Sequence, residues 1–166
     1  MSAPAWPEPG PIDEIVLDTN VLLDWLVFRN PVTRAFDTAL NPARLRWVST
    51  EPMRLELGYV LTESLLTRWQ VQADNVWATV QQHTCPVEPP AALPPHQRLR
   101  CTDTDDQIFI DLAVARRSRW LLTRDRALLK LARRALPHGV TVLTPEAWLR
   151  VWSEPAAPEA AGTQPA

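Results

Sequence analysis

Short, wholly apolar runs along this chain alternate with longer stretches in which apolar residues recur every three or four positions. Ile15-Val16-Leu17, Arg46 to Ser49, Trp120-Leu121-Leu122 and Val140 to Leu143 read as buried strands. Helical spacing then predicts a helix through Leu22, Leu23, Leu26 and Val27, and a short one from Val32 to Leu40. A long helix from Glu51 to Trp69 carries Met53, Leu57, Val60, Leu61 and Leu65 on its apolar side, and Asp74 to His83 follows as another. Cys85 to Pro95 is a Pro-rich loop. Beyond it, Asp105 to Arg117 is a strongly apolar helix, and Asp125 to Leu136 an amphipathic one with Leu128, Leu129, Leu131 and Ala132 inward. Pro145 to Val151 is the last helix, with proline where a helix start tolerates it. Strands alternating with helices predict an α/β fold of three layers, a central parallel sheet covered on both faces. Residues 1–11 and 153–166, built of Pro, Ala, Glu, Ser and Gly, have almost nothing to bury and are expected to be disordered, leaving 12–152 as one domain.

Composition narrows the classes. With 46% apolar residues in a chain of 166, a single domain can bury a proper core. No apolar run approaches the roughly 20 residues that cross a bilayer, so no membrane partner is expected. Met1 to Pro11 lacks the basic and apolar regions of a signal peptide. Cys85 and Cys101 fall far from a CxxC spacing and indicate neither a disulfide framework nor a zinc site, so a reducing cytoplasm is the expected setting. Four glycines leave no phosphate-cradling loop. The formal charge of −2 argues against a nucleic-acid partner, but its distribution argues otherwise. Arg116, Arg117, Arg119, Arg124, Arg126, Lys130, Arg133 and Arg134 crowd one segment in which Asp125 is the lone acid. That is either a phosphate-neutralising stripe or a set of solvated helix faces.

Open parallel sheets bind ligands at the carboxyl ends of their strands. Two strands end alike there: Ile15-Val16-Leu17 runs into Asp18-Thr19-Asn20, and Trp120-Leu121-Leu122 into Thr123-Arg124-Asp125. Asp and Thr also cap helices, which is an equal reading for Asp125. Glu56 interrupts the apolar side of the long helix and needs a cation or hydrogen-bond donors, with Arg54 or Arg68 as a structural alternative. Asp106 sits in the first turn of an apolar helix, with Asp103, Asp105 and Asp111 as competitors that periodicity does not separate. If such carboxylates converge, each pair about 4 Å apart repels by roughly 4 kcal/mol at an effective dielectric near 20. A divalent cation relieves this, and oxygen-only ligands favour Mg²⁺ or Mn²⁺ over zinc. Such an ion can activate water against a phosphodiester without a His, Cys or Ser nucleophile. His83, His96 and His138 stand isolated.

These motifs resemble a family. Leu17-Asp18-Thr19-Asn20 is similar to the opening motif of PIN domains. Thr50-Glu51 with Glu56-Leu57-Gly58-Tyr59-Val60-Leu61 resembles the second acidic motif. Cys101 to Phe109 resembles the third, and Leu122-Thr123-Arg124-Asp125 the fourth. The likeness spans Ile15 to Leu149, with Thr104 where a proline is frequent and Arg124 where a small residue often sits. It implies a three-layer PIN-like fold and a Mg²⁺- or Mn²⁺-dependent endoribonuclease whose acids are Asp18, Glu56, Asp106 and Asp125. By the family's separation from Ala113 it selects Asp106 over Asp105. It also implies Thr19, Asn20 and Thr123 as supporting groups, and RNA contacts through Arg116, Arg117, Arg124 and Arg126. The subgroup implies the toxin half of a type II toxin–antitoxin pair resembling VapC, a homodimer silenced by its antitoxin. The alternatives are a non-catalytic scaffold acting through protein partners, an RNA-processing nuclease without a toxin role, and a nuclease of structured DNA. The eight tryptophans offer either base-stacking surfaces or core, and Trp25, Trp47 and Trp120 fall within apolar elements.

Overall fold

The computed structural model describes residues 12–152. The two terminal segments expected to lack structure, 1–11 and 153–166, lie outside the described residues. Five parallel strands form the central sheet: β1 (Asp13–Leu17), β2 (Leu45–Ser49), β3 (Thr84–Pro86), β4 (Trp120–Leu122) and β5 (Thr141–Leu143). Their order is β3-β2-β1-β4-β5, so β1 is central. Ile15, Val16 and Leu17 are buried on both faces of the sheet, which explains an unbroken apolar run where a one-sided strand would alternate.

The side-chain alternation of the strands divides the core in two. Ile15, Leu17, Trp47, Trp120 and Leu122 face one layer. It is supplied by α1 (Thr19–Leu26), α2 (Phe36–Ala39), α5 (Ala73–His83) and α9 (Pro145–Val151), through Trp25, Phe36, Val80 and Trp148. Val16, Val48 and Leu121 face the other layer, which α6 (Gln107–Arg116), α7 (Arg126–Leu129) and α8 (Ala132–Ala135) cover through Phe109, Leu112, Leu128 and Ala135. Four of the tryptophans, Trp25, Trp47, Trp120 and Trp148, are core residues. Trp25 packs edge-on against both Trp47 and Phe36.

Three elements differ from the sequence reading. The expected helix from Glu51 to Trp69 is two helices, α3 (Glu51–Val60) and α4 (Glu63–Arg68). Leu61 leaves helical geometry at ψ 63°, and the Thr62 hydroxyl starts the second helix by accepting the Leu65 N–H at 3.2 Å. The stretch read as a loop from Cys85 begins inside β3, an edge strand where Pro86 costs no ladder bond on its free side. The Asp125–Leu136 helix is broken into α7, α8 and a 3₁₀ turn, Leu136–His138, closed by Gly139 at φ 80°, a left-handed conformation that glycine adopts without strain. The inward positions Leu128 and Leu131 are nonetheless buried as the periodicity requires. Among the described residues no helix is long and apolar enough to cross a membrane.

Candidate metal centre

Parallel pairing of β1 with β4 sets Leu17 beside Leu122, and the ladder continues one step further, with the Asp18 N–H donating to the Leu122 carbonyl at 2.9 Å. The residues that follow these two strands are therefore neighbours. Thr123 is fully buried, and its hydroxyl donates to Asp18 Oδ2 at 2.7 Å while accepting the Asp125 N–H at 2.9 Å. One side chain thus aims the first acid and anchors the backbone of the fourth. Asp125 Oδ1 accepts the Ala127 N–H at 2.7 Å and caps α7. Capping and a place in the acid cluster coexist in this residue.

Glu56 reaches the same rim from α3, where Thr19 Oγ1 donates to Glu56 Oε2 at 3.1 Å. Its sequence-level alternative partner Arg54 turns instead to the carbonyl and hydroxyl of Ser49, both at 2.9 Å. Asn20 is exposed, and its backbone N–H, with that of Thr19, favours the charged form of Asp18. Asp106 ends a 3₁₀ turn, Thr104–Asp106, at the head of α6. It is 8% exposed, and its Oδ2 has no hydrogen-bond partner.

The carboxylates disturb one another. Burial is the main cause raising Asp18 above the usual carboxylate range, against the opposing Thr123 hydroxyl, with Asp125 adding repulsion. Glu56 is raised first by burial and then by Asp18, Asp105 and Asp103. Asp106 is pushed up to about 7 by burial, by the charge of Asp18, and by Asp125, which lies within hydrogen-bonding reach of it. Oxygens of Asp103, Asp106 and Asp125 all lie within 4.8 Å of one another. Asp111 is drawn away, its Oδ1 accepting from Gln107 Nε2 at 2.8 Å. Of the sequence-level competitors, then, Asp103 joins the cluster through ligand-distance oxygens, and exposed Asp105 stands at its edge.

The arginines divide. Arg116 pairs with Glu14 at 2.6 Å and Arg119 with Asp13 at 2.7 Å, the residues that open β1. That is the opposite rim of the sheet from Asp18, about 13–17 Å away at roughly 3.3 Å per strand residue. Arg117 ends α6 on the same far rim in a left-handed conformation, φ 52°. Neither Arg116 nor Arg117 is brought to the acids, because the helix carries both away from them. Arg124 is occupied as a clamp, its guanidinium donating to Asp24 of α1 and, in a fork at 2.7 and 3.0 Å, to Glu146 of α9. Arg126 is exposed in the first turn of α7, next to Asp125.

The Arg124 clamp ties the loop that carries Thr123 and Asp125 to helices on the opposite layer, a restraint sequence reasoning missed because Asp24 lies 100 residues away. Arg124 holds Glu146 below its ordinary value of 4.5, so this stabilisation is present above pH 4.5 and is lost as pH falls through the depressed value. Arg124→Ala is expected to lower the melting temperature at pH 7 by about 3–6 °C, on the order of 1–2 kcal/mol for a forked pair at a partly exposed site. The difference from the parent should shrink as pH is lowered through the depressed Glu146 value. A difference that stays constant as both proteins are taken down to acid unfolding would show that the pair is not the source.

Oxygen donors, mutual repulsion and a buried carboxylate oxygen without a donor fit a hard divalent cation. A sequence model of the PIN domain matches residues 14–127. No curated protein matches the chain by sequence. Among solved structures, the chain is similar to PAE2754 from Pyrobaculum aerophilum, with 17% identity, a TM-score of 0.53, and coverage of 84% of this chain and 89% of that one. It is also similar to VapBC2 from Rickettsia felis, a structure bound to a DNA fragment from their promoter. There the identity is 12%, the TM-score 0.51, and the coverage 78% of this chain and 96% of that one.

Proposed function

The chain belongs to the PIN-domain family, and from that premise we propose that it is a Mg²⁺- or Mn²⁺-dependent endoribonuclease acting through Asp18, Glu56, Asp106 and Asp125. The observation that carries this reading is the Asp106 carboxylate, 8% exposed and with an unpartnered oxygen amid other acids. A purely structural carboxylate so placed would be expected to hold a donor to every buried oxygen. That weighs against a scaffold whose acids only cap helices. It also separates the site from a solvated acidic patch, which needs no ion.

A bound divalent ion would supply an acidified water as nucleophile and neutralise charge on the leaving oxygen. The chain's own groups do the rest. Thr123 fixes Asp18, Thr19 steadies Glu56, and α7 holds one oxygen of Asp125 while the other remains for the ion. Arg126, exposed beside Asp125, offers a positive charge to an RNA phosphate, which positions the strand without reading its bases. Arg116, Arg117 and Arg124, engaged elsewhere or at the far rim, drop to secondary candidates.

The same reading assigns the chain to the toxin side of a toxin–antitoxin pair in the cytoplasm, supported by the fold it shares with VapBC2. An antitoxin and a second copy of the chain are its proposed protein partners. Leu55 and Tyr59, 55% and 80% exposed one turn apart on α3, offer apolar surface for such contacts. RNA processing without a toxin role keeps the same chemistry, and harmless overexpression would favour it.

The test uses the purified chain and an unstructured RNA. Cleavage is expected with Mn²⁺ or Mg²⁺, to stop on adding EDTA, and to return when the ion is restored in excess. Cleavage indifferent to EDTA would overturn the metal reading, and inert protein that binds neither ion would overturn the nuclease.

A further inference from the structure

The geometry points to Asp103 as a fifth carboxylate of the cation site, sharing one Mg²⁺ or Mn²⁺ with Asp106 and Asp125. This rests on the nuclease reading above and assigns a ligand outside the four acids that reading uses.

The three residues each place an oxygen within 4.8 Å of the others. Oxygens on opposite sides of a Mg²⁺ bonded at about 2.1 Å lie about 4.2 Å apart, so small side-chain rotations close the set around an ion. The independent sign of a missing ligand is Asp106 Oδ2, buried in this acid cluster with nothing to accept from. Asp111, four residues beyond Gln107 on α6, has its own donor in that side chain and is drawn elsewhere.

Asp103 is held in place by the backbone that follows it. Its carboxylate accepts the Asp105 N–H at 3.0 Å, and its carbonyl accepts the Asp106 N–H at 3.2 Å. Upstream, Gln107 braces the approach, accepting the Cys101 N–H and donating to the Leu99 carbonyl, both at 2.8 Å. The segment entering the 3₁₀ turn is thus tied to α6 through Gln107 and to the turn itself through Asp103. A carboxylate so restrained loses little further freedom on ligation, as expected of a group that binds an ion without a large rearrangement. Exposure of Asp103 gives the site a solvent-facing lip through which a hydrated ion enters.

Mn²⁺ binding to the full chain, measured by isothermal titration calorimetry, tests this apart from catalysis. Asp103→Asn is expected to weaken Mn²⁺ binding about tenfold or more, and Asp106→Asn at least as much. Asp111→Asn, whose amide oxygen can still accept from Gln107, should stay within about twofold of the parent. Asparagine at 103 can keep the bond from the Asp105 N–H, so melting in EDTA should be unchanged. If that variant is nonetheless poorly folded, Asp103→Ser, which keeps an oxygen acceptor, must show the same loss. Parent-like binding by a folded Asp103 variant, with binding lost in Asp106→Asn, would overturn the fifth ligand and leave the nuclease reading standing. No Mn²⁺ binding by the parent would overturn both.

Discussion

Asp18→Asn is expected to reduce RNA cleavage by about a hundredfold or more while melting no lower than the parent protein. Asp18 is 3% exposed and follows directly on the central strand. Removing its charge takes a carboxylate from the proposed ion and electrostatic support from the transition state, and losses of that size follow from deleting one such preorganised group. The fold should hold because the amide oxygen of asparagine can still accept from Thr123, and because burial already disfavours the charged form. Rates under single-turnover conditions with saturating Mn²⁺, with thermal melts in EDTA, check both halves. Undiminished Mn²⁺-dependent cleavage by Asp18→Asn would remove the basis for the active site.

In the absence of divalent ions, Asp106→Asn should be more stable than the parent at pH 8 and close to it at pH 4. The folded-state value of Asp106 is about 7, against an ordinary 3.8. A carboxyl raised on folding favours the native state while protonated, fully below pH 3.8, and that contribution fades as pH climbs through 7. The ion-free parent therefore loses stability across roughly pH 4 to 7, and the neutral variant does not. A rise from 3.8 to about 7 corresponds to at most about 4 kcal/mol. Solvent screening brings the expectation to about 1–2 kcal/mol, or about 3–6 °C in melting temperature. Saturating Mn²⁺ should reverse the order, because the ion stabilises only the protein that binds it. A parent whose ion-free melting temperature stays level from pH 4 to 8 would contradict the assignment of Asp106 as the crowded acid.

Much of this was legible from residues alone, for identifiable reasons. Ile15-Val16-Leu17 and Trp120-Leu121-Leu122 announce buried parallel strands because neither alternates, and strand ends are where such sheets place their chemistry. Asp18 and Asp125 followed from that rule, and Thr123 from the family resemblance. β3 did not, since three residues ending in Pro86 carry no periodicity and their place is fixed only by pairing with β2. The break at Leu61 was hidden because the apolar spacing runs on through Leu65, and only the hydroxyl of Thr62 marks it. The arginine cluster misled in part because closeness along a chain is not closeness in space: α6 delivers Arg116 to Glu14 at the far rim. Asp103 was one of several equivalent acids in the sequence, and the 3₁₀ turn that swings it towards Asp106 is a tertiary outcome.

The strand order carries a consequence for biosynthesis. The middle position of β1 leaves one of its flanks open until β4, more than a hundred residues later, is made and inserted. A chain still growing towards β4 therefore holds Asp18, Glu56 and Asp106 without the Thr123 hydroxyl or Asp125. On the proposed nuclease reading, the site is completed late in translation, and a product truncated before residue 120 is expected to be inert towards RNA.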